Sequence, residues 1–137
     1  MTLKTNQHEI GFIKSFIIKE KQDRLLALLQ MKNSRNKIRA LIAHEIYLNK
    51  MYSLPIKGEL DNPRSIHKYL REKGAPTNCY IICENESFDQ KEMALNDALE
   101  IIYYTDLGTI ISCIPGKLAY FQSEETQSKT ILEKATF

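Results

Sequence analysis

The stretch GTIISCIPGKLAYFQ, Gly108–Gln122, sits in the most apolar part of the chain and combines β-branched runs with a Pro-Gly pair. TIISCI and KLAYFQ have the length and composition of strands. Pro115 presets the backbone for the second position of a type I or II turn, and Gly116 supplies the positive φ that type II needs next. The stretch therefore predicts a β-hairpin. Tight two-residue hairpins prefer the primed turns, which Pro-Gly does not favour, so a longer loop or an adjacent bulge is expected. A phosphate loop does not fit. Gly116-Lys117 is followed by Leu118 rather than Ser or Thr, and a strand pattern follows where a helix is required.

Upstream, NCYIICE (Asn78–Glu84) is short and apolar on both sides of its alternation. It reads as a strand covered on at least one face. Between it and the hairpin lie the polar loop ENESFDQKE and a helix with Leu95, Ala98, Leu99 and Ile102 on one side. That separation is about the length of a helical crossover, so the strands at 78–84 and 109–114 are expected to be parallel. A further helix precedes them. Asp61 or Asn62 caps it, Pro63 suits its first turn, Ile66, Tyr69 and Leu70 form its stripe, and Gly74 and Pro76 end it.

The N-terminal half is helical. Ile10, Ile13 and Ile17 share one face, and Leu25, Leu28 and Leu29 resume it beyond the polar KEKQDR. One long helix and two shorter ones meeting near Lys19 are both compatible with this pattern. After the break MKNSRNK, a helix to about Asn49 turns Ile38, Leu41, Ile42 and Ile46 inward, and YSLPIKGELDNP reads as a loop.

The expected fold is α+β. Two to three N-terminal helices precede helix-β-α-β-β, which forms a small three-stranded mixed sheet ending in a C-terminal hairpin. One domain covers 1–123, helical over about 7–74 and sheet-forming over about 78–123. Residues 124–137 read as a mobile tail, with at most a short helix around Ile131. A three-stranded sheet leaves edges open, so a homodimer through a sheet edge or helix packing is one expectation.

Composition narrows the function classes. The 137 residues are ordinary for one domain, and 43% hydrophobic with 26% charged residues suits a globular core without staples. No basic n-region precedes an apolar run at the N-terminus, and no stretch reaches the roughly 20 apolar residues of a membrane span. The cysteines, Cys79, Cys83 and Cys113, are odd in number and lack a framework spacing, which fits free thiols in the cytoplasm. On a strand, Cys79 and Cys83 lie about 13 Å apart, too far to share one zinc ion. His8, His44 and His67 fall in separate segments. The expectation is no metal and no cofactor, with the thiols filling core space.

Charge is uneven. Lys14–Lys73 holds 14 basic and 6 acidic residues, whereas Glu84–Asp106 holds 7 acids against Lys91 alone. Two candidate sites follow. Glu84, Glu86 and Asp89 lie beyond the end of a strand, where carboxylates can serve as acid and base or bind Mg²⁺ in a small hydrolase. The expected parallel topology brings Lys117 to the same sheet edge. Lys32, Arg35, Lys37 and Arg39 cluster at a helix start and can contact nucleic-acid phosphates. The favoured expectation is neither. It is a small cytoplasmic non-enzymatic binding or regulatory protein acting through contacts with another protein or with itself, and with no membrane.

Overall fold

A computed structural model describes residues 3–31, 34–42, 44–124 and 128–134. Among these residues five α-helices and six strands follow in the order α1 (Leu3–Phe16), α2 (Lys19–Leu29), α3 (Arg35–Ile42), β1 (Ser53–Pro55), α4 (Pro63–Glu72), β2 (Asn78–Cys83), β3 (Glu92–Ala94), α5 (Leu95–Ile102), β4 (Thr109–Ile114), β5 (Leu118–Gln122) and β6 (Lys129–Glu133). The mixed helix-and-sheet class is as expected. The sheet is not the expected one: it has six strands, in the order β1-β6-β5-β4-β2-β3, and every pair is antiparallel.

The parallel expectation for β2 and β4 is thus overturned. Cys83 pairs with Thr109 and Tyr80 with Ser112, so the strands run in opposite directions. The reason is β3, which lies in what reads as a loop. It carries the chain back along β2 before α5 begins, α5 returns it, and β4 then runs antiparallel to β2. The segment 129–133, expected in a mobile tail, is a strand between β5 and β1, with Thr130, Ile131 and Leu132 buried. The Ser53–Pro55 loop supplies the outer strand β1.

The sheet is covered on both faces, as the two-sided apolarity of β2 requires. On one face, Cys79, Ile81, Cys83, Ile111, Cys113, Tyr120 and Ile131 pack with Ile66 and Leu70 of α4 and with Leu95, Leu99 and Ile102 of α5. On the other, Tyr80, Ile82, Ile110, Ala119, Phe121 and Leu132 meet Phe12, Ile13, Phe16, Leu25, Leu28 and Ile38 from α1, α2 and α3. Each buried Leu, Ile or Phe among them contributes about 1.5–3 kcal/mol by leaving water.

The stretch from Gln7 to Met31 forms two helices rather than one, α1 and α2. The chain breaks at Ile17 and Ile18, where Ile18 N–H donates to Tyr47 O at 2.8 Å and Asn49 N–H to Phe16 O at 2.7 Å. Ile46, expected to face inward, is 74% exposed, because α3 stops at Ile42 and a short 3-10 turn follows at Glu45–Tyr47. The side chains of Leu41 and Ile42 lie outside the description. Around α4 the local signals hold: Asn62 accepts from Ser65 N–H at 2.8 Å, and Gly74 has φ of +104°.

The β4–β5 hairpin is present with the expected irregularity. Lys117 N–H donates to Ile114 O at 3.0 Å around Pro115 and Gly116, and Gly116 has φ of +71°. The register shifts between Ser112 and Ile114, leaving Cys113 as the extra residue of a bulge. The turn lies against α1. A Cβ added at Gly11 would stand 2.8 Å from Gly116 N and 3.1 Å from the Pro115 carbonyl carbon, both backbone atoms that cannot swing aside. Gly11→Ala gains helix propensity yet forces the turn off the helix. It is expected to lower stability by about 1–3 kcal/mol, read from urea unfolding midpoints.

Candidate functional site

Antiparallel pairing of β2 and β4 separates two of the candidate regions. Glu84 N–H donates to Gly108 O at 3.1 Å, so the acidic loop lies at the start of β4. The exposed Lys117 lies beyond its far end, about 20 Å away along six strand residues. Lys117 and the loop therefore share no cleft. The Glu84 carboxyl sits above its usual range because burial, and then neighbouring Glu124, disfavour its charge.

What the fold does bring together is the acidic loop and the basic helix start. Arg35, at the first turn of α3, forms a fork with Asp89: Nε to Oδ2 at 2.7 Å and Nη2 to Oδ1 at 2.8 Å. Its Nη1 donates to Glu9 Oε1 of α1 at 2.9 Å. Arg39, one turn on, reaches Asp89 at 3.6 Å and Glu86 at 3.5 Å. The pair is recessed: the side chains of Glu9 and Asp89 are 1% and 4% exposed, and that of Arg35 23%. Burial alone would lower the Arg35 guanidinium's pKa, but the Asp89 and Glu9 carboxylates outweigh it and the net shift is upward. Asp89 also accepts the Cys83 N–H at 3.0 Å, tying the loop back to β2. Lys37 is exposed, and Lys32 lies outside the described residues.

The network continues through Tyr80 and Glu9, which the sequence reading did not single out, and through His8, which it set aside as a metal ligand. Tyr80 donates its hydroxyl to Glu9 Oε2 at 2.5 Å, and burial followed by Glu9 pushes the phenol's pKa well up. His8 stacks on Tyr80 with ring centroids 5.3 Å apart, and its Nδ1 shares a 2.7 Å hydrogen bond with Ser112 Oγ. One signal for Glu9 is visible. It stands three and four residues before Phe12 and Ile13, so an acid occupies the apolar face of α1. An acid at such a position needs an internal cation, and Arg35 supplies it.

At the other end of β2 a cleft of about 450 Å³ opens beside the N-terminal part of α1. Gln7, His8, Asn78 and Glu92 give it polar groups, while Cys79, Cys113 and Pro115 form its less polar wall. Its volume is in the range of small-molecule sites. No group of three or more metal-ligating side chains occurs among the described residues.

Arg35→Ala leaves buried Glu9 without a cation and Asp89 with only the longer Arg39 contact, and is expected to cost about 3 kcal/mol of unfolding free energy. Lys37→Ala, on the exposed side of the same helix, should stay within about 0.5 kcal/mol. Equal urea midpoints for the two variants would remove the network from the account of stability. A second expectation concerns alkaline pH. Burial raises Cys79 from 9.0 to about 12, and it raises Cys113, Tyr80 and Tyr120 well above their ordinary values. The folded state keeps protons that the unfolded chain releases. The resulting stability is complete below pH 9 and is lost progressively as pH rises past 9 and then 10. Urea midpoints between neutral pH and about pH 11 should fall monotonically.

Comparison of the chain with protein-family models, with curated proteins and with solved structures finds no match in any of the three.

Proposed function

We propose that this chain is a small non-enzymatic binding protein that works through contact with another protein. One observation carries the reading. The chain from the connector after α3 into β1 exposes three large apolar side chains, Ile46 at 74%, Met51 at 79% and Leu54 of β1 at 44%, while Leu48 between them is buried. Three large apolar groups within nine residues of chain are a costly surface for an isolated domain, and such surfaces mark sites of association. A groove of about 300 Å³, lined by Leu48, Lys50, Ser53, Pro55 and Thr130, adjoins them.

Charge selects the partner. Residues 46–57 contain Lys50 and Lys57 and no acid; β6 beside them begins at Lys129, Lys134 follows its end, and its one acid, Glu133, is paired with Lys73 at 3.7 Å. A second copy docked face to face would oppose like charges. The surface suits an acidic segment with apolar anchors, contributed by a different protein. Backbone pairing at this edge is disfavoured. Ile56 N–H points inward to Lys129 O at 2.9 Å, which directs Ser53 and Pro55 outward. Ser53 N–H already donates to Lys50 O, and Pro55 has no N–H, so the described outer edge of β1 offers no free donor. Recognition through side chains is therefore favoured over added strands.

The hydrolase and nucleic-acid readings draw less support from the geometry. Arg35 and Asp89, the central member of each candidate set, are engaged with one another. A location in the cytoplasm remains part of the proposal and draws on the three free thiols. No helix of the described residues is long and apolar enough to cross a membrane.

Fluorescence anisotropy with a synthetic peptide alternating Glu and Leu tests the surface. Binding to the wild-type protein is expected, weakening as salt rises. Met51→Asp and Leu54→Asp should each reduce it by tenfold or more without shifting the melting temperature. Undiminished binding by the double variant would sink the assignment. A concentration-dependent dimer abolished by the same substitutions would replace the foreign partner with a second copy.

A further inference from the structure

β2 and β4 bring two of the three cysteines face to face. Their paired residues run from Cys83↔Thr109 to Tyr80↔Ser112, and one further step in the same register sets Cys79 opposite Cys113. The hydrogen-bond alternation identifies the kind of pair. Ile81 gives its N–H to Lys91 O at 2.9 Å and takes Gln90 N–H at 2.8 Å, so the odd-numbered residues of β2 direct their backbone away from β4. Cys79 and Cys113 thus occupy a non-hydrogen-bonded position, where opposed Cα atoms stand about 4.5 Å apart and side chains are closest. That separation lies within the roughly 4.4–6.8 Å that a disulfide accepts.

Three further observations converge. Both side chains belong to the same core cluster, on the α4/α5 face. Cys113 is the extra residue of the β4 bulge, so its backbone lacks a direct partner on β5 and has latitude to adjust toward β2. Both thiols line the 450 Å³ cleft, which gives a small reagent a route to them. Cys83 is an internal control. It lies on the same strand and face, is equally buried, and faces Thr109, whose hydroxyl is 3.3 Å from its sulfur.

We propose that Cys79 and Cys113 form a reversible cross-strand disulfide when a small hydroperoxide reaches them through the cleft. One thiol gives up its proton, slowly at neutral pH because burial holds it there, and its thiolate attacks the peroxide: the O–O bond breaks, a sulfenic acid forms, and the departing hydroxide takes the proton as water. The second sulfur attacks it, the S–S bond forms, and a second water leaves. Two thiols and one hydrogen peroxide give one disulfide and two waters. The Cys79 Sγ contact to Met93 O at 3.4 Å is given up. The bond closes a covalent ring around β3 and α5. A thiol pair that cycles in this way is compatible with a reducing compartment, where disulfides are transient.

The test is oxidation of the native protein with excess hydrogen peroxide, followed by alkylation in denaturant and peptide mapping. Wild-type protein should lose two of its three free thiols and yield one cross-linked peptide joining Cys79 to Cys113, with both thiols recovered by dithiothreitol. Cys83→Ser should give the same bond. Cys79→Ser and Cys113→Ser should give no internal bond. The wild-type map decides the matter even if a variant fails to fold. Retention of three thiols, a bond that includes Cys83, bonds only between molecules, or over-oxidation without an S–S bond would each overturn the proposal.

Discussion

The structure depends on one constraint: the central strands β2, β4 and β5 have no face that tolerates water. Their side chains are buried on both sides of the sheet. A sheet of this kind is stable only when apolar helices cover both surfaces. That requirement recruits α4 and α5 to one side and α1, α2 and α3 to the other. It also fixes a close approach, since α1 reaches the sheet at Gly11, directly over the Pro115–Gly116 turn. Polar groups caught within this arrangement are satisfied internally. Gln122 directs its amide to the carbonyls of Ile102, Thr105 and Leu107 at the end of α5 and accepts from the Tyr120 hydroxyl at 2.8 Å. No described buried side-chain nitrogen or oxygen lacks a partner.

Elements with local causes were legible. α4 has its cap, its first-turn proline and its terminating glycine, and the β4–β5 hairpin has a Pro-Gly turn whose mismatch with tight hairpins called for a longer loop or a bulge beside it; the structure has the bulge, at Cys113. The three strands that went unread are β1, β3 and β6, of three, three and five residues. Alternation across three residues is no signal, and Pro55 argues against a strand unless that strand is an edge. Such segments become strands only because an apolar partner is waiting for their backbone. The unread β3 also reversed the apparent direction of β4, because without it α5 was the sole return path.

The candidate site was legible in its parts and not in their relation. The acidic loop and the basic helix start both stood out by composition, and each suggested an external ligand. Sequence separation concealed that they neutralise one another across 54 residues. The missing link was Glu9, an acid on the apolar face of α1 whose burial calls for an internal cation. The exposed connector was misread for a related reason. Ile46 continues the periodicity of α3, but the helix ends before reaching it, and the same residue type changes from core to surface.

The place of β6 in the sheet carries a consequence for how the chain acquires its shape. Among the described strands β1 is made first and pairs only with β6, which is made last. Until β6 arrives, β1 has no neighbour and β5 presents an unpaired margin of backbone to whatever else is nearby. Closure across so long a separation is slow relative to the formation of local hairpins. The nascent protein thus passes through a stage with a nearly finished core and one open seam, the stage at which strands of neighbouring molecules are most readily exchanged.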